Sequence, residues 1–223
     1  MSVKALFFDL DGLLLDTEKI YLYCWIEAAN ALGYKLDASN ALRLRSCDSE
    51  LAKEIIKESF QGQDLFNQLR AKRKEIMANY TQVQPIEIKN GVQVFFESGI
   101  LNKYNKYIVT SSIPGDKLTV LERAGVLAKI DRVITTKQVA RGKPYPDVYL
   151  FAMHEAGVSK DECIAFEDSP NGVISASDAG CKVIMVPDLT QPSDDLRSRC
   201  AYVLPKLSDA LSVLQSDGYF INQ

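Results

Sequence analysis

Short apolar runs rich in Val, Ile and Phe recur along this 223-residue chain as Ala5–Phe8, Tyr107–Val109, Arg132–Thr135, Cys163–Phe166 and Lys182–Val186. Longer stretches of helical periodicity separate them. Strands of this kind are covered on both faces, so the alternation predicts helices on either side of a parallel sheet. The expected fold class is α/β, with a doubly wound, Rossmann-like core.

One segment breaks the alternation. From about Thr17 to Gln84 the pattern is helix-like throughout, with Trp25, Ile26, Ala29 and Leu32 on one apolar face and Leu51, Ile55 and Ile56 on another. The polar, Pro-containing stretch Thr81-Gln82-Val83-Gln84-Pro85 bounds it. The expected organisation is therefore a core of residues 1–15 and 86–223 with an inserted α-helical cap of residues 16–85. Two chain crossings would join the parts, near Leu14–Asp16 and Gln84–Lys89, where a hinge is expected. Ala201–Leu204 reads as a last short strand and Leu207–Leu214 as a closing helix.

The charge balance removes some partners. With 26 Lys and Arg against 29 Asp and Glu the formal net charge is -3, which gives no global field that would collect nucleic acid or anionic lipid. The one basic cluster, Arg70-Ala71-Lys72-Arg73-Lys74, reads as a solvated helix face. There is no apolar run long enough for a membrane span and no signal-peptide pattern, so a cytoplasmic protein is expected. The five cysteines are odd in number and scattered, which suits reduced thiols. His154 is the single histidine and lies in a helical pattern, where a surface or packing residue is expected, so the chemistry must run without a histidine base unless His154 is that base. A monomer is the default expectation.

Chemistry-bearing residues gather at strand ends. In an open parallel sheet, ligands bind beyond the carboxyl ends of the strands. Asp9 and Asp11 follow Ala5–Phe8 directly, and Glu167-Asp168 follows Cys163–Phe166 in the same manner. Two acidic pairs there are expensive to desolvate unless a divalent cation compensates them, and hard oxygen ligands favour Mg²⁺. Tyr107-Ile108-Val109-Thr110-Ser111-Ser112 ends a third strand in hydroxyls suited to phosphoryl oxygens, and Lys143 stands in the Gly/Pro-fixed loop Gly142-Lys143-Pro144.

In order and strand context, Asp9-Leu10-Asp11-Gly12, Thr110 with Ser111 and Ser112, Lys143 within GKPYPD, and Glu167-Asp168 within FEDSPNG resemble the four motifs of the haloacid dehalogenase superfamily. A helical insertion directly after the first motif, entered through Asp16-Thr17-Glu18, is similar to the subgroup of β-phosphoglucomutase and small-metabolite phosphatases. The resemblance implies Asp9 as nucleophile and Asp11 as general acid and base. It implies Mg²⁺ held by Asp9, the Asp11 carbonyl and Asp168, with Glu167 close by, and a phosphoryl group bound by Thr110, Ser111 and Lys143. Gly12 would permit the tight turn behind the two aspartates.

The implied activity is hydrolysis of a small phosphorylated metabolite, a sugar phosphate or nucleotide monophosphate. Asp11 speaks against a dehalogenase or a phosphonatase. A phosphomutase is the neighbouring alternative, and a non-catalytic phosphate-sensing or partner-binding protein is the alternative of another class. Tyr21 stands where the mutase pattern carries histidine, and the loop Leu44-Arg45-Ser46-Cys47-Asp48 lacks the mutase glycine and arginine, so water is the expected acceptor. Thr17, Tyr21, Arg43, Arg45 and Ser46 are the candidate substrate contacts from the cap.

Overall fold

The computed structural model describes residues 2–216. Met1 and residues 217–223, the two ends of the expected core, lie outside the described residues. The strands are β1 (Ala5–Phe8), β2 (Asn105–Thr110), β3 (Arg132–Thr135), β4 (Cys163–Glu167), β5 (Lys182–Met185) and β6 (Tyr202–Val203). They form one six-stranded parallel sheet in the order β3-β2-β1-β4-β5-β6. The α/β, Rossmann-like fold is therefore as expected.

After β1 come α1 (Glu18–Ala31), α2 (Ala38–Arg43), α3 (Ser49–Ser59) and α4 (Phe66–Val83) in succession. The remaining helices are α5 (Val92–Glu97), α6 (Lys117–Arg123), α7 (Asp147–Ala156), α8 (Pro170–Asp178), α9 (Asp194–Ser198) and α10 (Ala210–Gln215).

The period-2 geometry of the strands divides the core. Leu6, Phe8, Ile108, Ile164, Phe166 and Ile184 face one layer, where they pack with Phe95, Phe96 and Leu121. Ala5, Phe7, Val109, Ala165, Val183 and Met185 face the other, with Val148, Tyr149, Val173 and Ala176. Both faces are thus covered, and each strand is apolar on both sides for that reason. The ring of Phe8 stacks on Phe166 at 4.9 Å, which ties β1 to β4 near the ends that carry the acidic residues.

A third apolar cluster belongs to the inserted helices. Trp25, Ala28, Ala29, Ile55, Ile56, Phe66 and Leu69 are buried together there. The two chain crossings lie side by side: Asp16 N donates to Glu87 O at 2.9 Å and Lys89 N to Leu14 O at 2.9 Å.

Strand β1 pairs with β2 on one side and β4 on the other, so the chain direction of travel across the sheet reverses at β1. Such a reversal opens a crevice at the carboxyl edge, and the motif residues sit at that edge.

Candidate active site

Asp9 and Asp11 emerge just past β1, beside Glu167 at the end of β4 and Asp168 after it. Asp9 N donates to Phe166 O at 3.0 Å, which extends the ladder one residue and aligns the two acidic tips. Gly12 turns the chain at φ 85, and a Cβ there would lie 2.7 Å from Asp168 Cγ and 2.8 Å from Glu18 Cγ. Only glycine allows both the left-handed conformation and so close an approach.

Lys143 is fully buried. Its ammonium donates to Asp9 Oδ1 at 2.6 Å, to Glu167 Oε1 at 2.6 Å and to Val109 O at 3.0 Å, which uses all three protons. Tyr149 of α7 adds a phenolic hydrogen bond to Glu167 Oε1. Burial would lower the Lys143 pKa, but Asp9 and Glu167 outweigh it and hold the group protonated.

That one ammonium does not balance the cluster. Asp9 Oδ2, Glu167 Oε2 and both Asp168 carboxylate oxygens are buried without a hydrogen-bond partner. Ligand oxygens of Asp9, Glu167 and Asp168 lie within 4.8 Å of one another. Burial raises the carboxyl pKa of Asp9 and Glu167 against the opposing charge of Lys143. Burial also raises that of Asp168, with Glu18, Asp9 and Glu167 adding to it and Arg45 opposing. Orphaned, all-oxygen, buried donors are what a small hard cation needs. The residues present therefore fit a magnesium ion.

Asp11 points away from that cluster. Its carboxylate accepts from Thr17 Oγ1 at 2.7 Å and, through both oxygens, from Lys117 Nζ at 2.9 and 2.7 Å. Burial alone would raise its pKa, but Lys117, Ser112 and Thr17 together bring it below the ordinary value. Lys117 also donates to Ser112 Oγ at 2.6 Å and to Tyr21 Oη at 3.2 Å.

The hydroxyls after β2 form their own bracket. Thr110 Oγ1 accepts from Ser112 N at 3.1 Å, and Ser111 Oγ donates to Ser46 O at 3.3 Å. Above Asp9 and Asp11 a cavity of about 950 Å³ extends between the core and the inserted helices, and Thr110, Ser111, Tyr21, Arg45 and Ser46 all line it.

Thr17 is fully buried beneath the cavity and acts on it through Asp11. Arg43 is not brought to the cavity: it lies on an exposed face and donates to Glu58 Oε2 at 2.7 Å. The basic cluster departs from its solvated-face reading in the other direction. Arg70, Arg73 and Lys74 of α4 line the cavity, because the helix turns that side toward α1 and the crevice.

Several residues had no motif to announce them. Lys117, Tyr149 and the contact of Arg45 with Asp168, 3.7 Å apart, arise from tertiary packing. Lys117 carries a faint signal, since it opens the helix that follows the hydroxyl-rich strand end. His154 is exposed on α7 and away from the cavity lining.

A doubly wound sheet with a carboxylate-lined crevice at its switch point is the architecture of an α/β enzyme. Residues 6–186 match the sequence family described as haloacid dehalogenase-like hydrolase, and the chain belongs to that family. It is 30% identical over 214 residues to a protein named probable pseudouridine-5'-phosphatase from Drosophila melanogaster, covering 91% of this chain and 89% of that one. Hexitol phosphatase A of Escherichia coli is 29% identical, and the match covers 100% of both chains. A hydrolase from Pseudomonas syringae shares the fold with a TM-score of 0.81 at 21% identity, over 95% of this chain and 98% of that one.

Proposed function

We propose that the protein is a magnesium-dependent phosphatase that hydrolyses a small phosphorylated metabolite, a sugar phosphate or nucleotide monophosphate, through an aspartyl-phosphate on Asp9. It is a phosphoric monoester hydrolase, and the names of its phosphatase relatives support that class. The observation that carries the finer reading is the pairing of unlike carboxylates. Asp9 has one oxygen held by Lys143 and one without a partner, while Asp11, two residues on, is held by a separate lysine.

In the first half-reaction an Asp9 carboxylate oxygen attacks phosphorus as the bond to the leaving oxygen breaks. Asp11 gives its proton to that oxygen. The arriving phosphate raises the proton affinity of Asp11 by like-charge proximity, which prepares it for this role. In the second half-reaction Asp11 takes a proton from water, the water oxygen attacks phosphorus, and the bond from phosphorus to Asp9 breaks. Phosphate leaves and Asp9 is restored. Lys117, beside Asp11, favours the ionised form that this second step requires.

Thr110 and Ser111, which line the cavity, would orient the phosphoryl oxygens, while Lys143, its three protons taken by Asp9, Glu167 and Val109 O, would fix the position and charge of Asp9 instead of gripping phosphate, so that most of the catalysis is positioning and charge stabilisation. The carboxylates of Asp9, Asp168 and Glu167, with the Asp11 carbonyl, would hold the magnesium ion. When bound, that ion supplies positive charge against the negative charge developing on the phosphoryl group. The helices α1–α4 would serve as the cap that sheds bulk water from the crevice.

Water is the acceptor in this reading rather than a second sugar hydroxyl. Burial raises the pKa of the Tyr21 phenol and Lys117 already donates to its oxygen, so it is a poor base for activating a hydroxyl. The test is magnesium-dependent release of phosphate from p-nitrophenyl phosphate by wild-type protein and by Asp9→Asn. The variant should be inactive with an unchanged circular dichroism spectrum. Turnover above about one hundredth of wild type would contradict the mechanism, since the amide supplies no nucleophile for the covalent route.

A further inference from the structure

The charges that line the cavity divide into two zones. At the sheet edge Lys143 serves Asp9 from below the cavity, Lys117 serves Asp11 and Arg45 approaches Asp168, while Glu18, Asp48 and Asp116 also line the cavity with no ion pair to them among the described residues. Farther out, Arg70, Arg73, Lys74 and Arg123 also line the cavity, and among the described residues no carboxylate pairs with any of them. Arg70, Arg73 and Lys74 come from one helix, so their unpaired charges favour an anionic group on the α4 side of the cavity even though Glu18, Asp48 and Asp116 line it elsewhere.

Arg73 is the most constrained of the four. Its guanidinium lies 5.1 Å from the centre of the Tyr21 ring and 4.8 Å from that of Trp25. Two aromatic faces hold the planar group in one orientation. Its Nε is nevertheless buried without a partner. Burial lowers the Arg73 pKa, Tyr21 raises it and Arg70 lowers it further, so an incoming anion would relieve an existing penalty.

The row leads outward from the reacting end. Lys117 touches Asp11 and the Tyr21 hydroxyl, and Arg73 sits against the ring of the same tyrosine. A substrate whose ester oxygen meets Asp11 would extend its leaving group along this row, past Lys117 and toward Arg73.

We propose that the preferred substrate is a phosphomonoester whose leaving group carries a second anionic group, a carboxylate or a second phosphate, a few bonds from the ester oxygen. Arg73 binds that group, with Arg70, Lys74 and Arg123 supplying the field around it. This deepens the phosphatase reading and rests on it.

Matched pairs of compounds test the inference. Glycerol 3-phosphate against 3-phosphoglycerate isolates a carboxylate, and fructose 6-phosphate against fructose 1,6-bisphosphate isolates a second phosphate. Charge-assisted hydrogen bonds predict a kcat/KM roughly ten- to a hundredfold higher for the anionic member of at least one pair. Arg73→Met should reduce that ratio about tenfold and Arg73→Lys should restore part of it. Ratios within about threefold of unity in both pairs, or a ratio that Arg73→Met leaves unchanged, would overturn the proposal.

Binding gives a second readout that does not depend on turnover. Trp25 is the single tryptophan and touches Arg73, so its fluorescence reports the outer zone directly. In Asp9→Asn protein with magnesium, the anionic member of the favoured pair should change that fluorescence with a Kd at least about tenfold lower than its neutral match. Equal affinities would overturn the proposal even if Arg73→Met failed to fold. Failure to hydrolyse any phosphomonoester, with selective binding intact, would reject the phosphatase reading alone.

Discussion

Replacing Lys143 by methionine probes the charge balance at the root of the site. In the native protein one ammonium serves two buried carboxylates, each 2.6 Å away, and no other lysine or arginine pairs with either among the described residues. Methionine keeps the stem's apolar volume but leaves Asp9 and Glu167 uncompensated. Removing one partner of a buried ion pair costs about 3–5 kcal/mol, a large part of a typical domain stability of about 5–15 kcal/mol.

The sign of the pH dependence follows from the same argument. Without the ammonium, burial leaves the folded-state pKa of both carboxyls above their unfolded values, so the folded state carries the penalty when they are ionised. The penalty is full well above those raised values and disappears as pH falls toward the unfolded values near about 4. Urea unfolding without added metal, followed by Trp25 fluorescence, should therefore show a loss of about 3–5 kcal/mol at about pH 8 and a distinctly smaller one at about pH 5. Magnesium at one hundred times its Kd should return about 2.7 kcal/mol. A loss under about 1 kcal/mol at about pH 8, or one that does not shrink in acid, would refute the reasoning.

Other perturbations separate the parts of the account. Gly12→Ala forces a left-handed conformation that costs about 1–2 kcal/mol and drives a methyl group against Asp168, so magnesium-dependent activity should fall further than thermal stability. Arg43→Ala removes only an exposed pair with Glu58; urea stability should move by less than about 0.5 kcal/mol and kcat/KM by less than about twofold, and a large kinetic effect would put the residue back at the cavity. Glu162 is held down to about 2 by Lys4 and by the backbone and hydroxyl of Ser159. Its contribution is present above its unfolded value of 4.5 and lost as pH falls toward about 2, so Glu162→Gln should flatten the acid limb of the stability profile.

The strand ends were legible because their chemistry conflicts with their surroundings. Carboxylates directly after both Ala5–Phe8 and Cys163–Phe166 point to a ligand-binding edge, and the structure brings ligand oxygens of Asp9, Glu167 and Asp168 within 4.8 Å of one another. Strand positions also followed closely, with β3 at Arg132–Thr135 and β5 at Lys182–Met185. The sheet core left a readable signature because each strand must be apolar on both faces.

The partners of Asp11 were not legible. Lys117 reaches it across 106 positions, and a lysine that opens a helix looks in sequence like any solvent-facing one. The basic cluster misled for a related reason. Charge in a helical pattern does not reveal which face meets a cavity, and only the packing of α4 on α1 turns Arg73 onto Tyr21 and Trp25. Arg43 failed in the opposite sense: it precedes Leu44 at the end of α2, and the helix directs it to Glu58 instead of the crevice.

The claim beneath all of this is that Asp9, Glu167 and Asp168 share one cation. Crystals grown with Mn²⁺ in place of Mg²⁺ would test it through anomalous scattering. The account predicts one strong peak at about 2.0–2.2 Å from an oxygen of Asp9 and of Asp168, lost in Asp168→Asn. A peak elsewhere, or none at saturating metal with those carboxylates still converging, would contradict it.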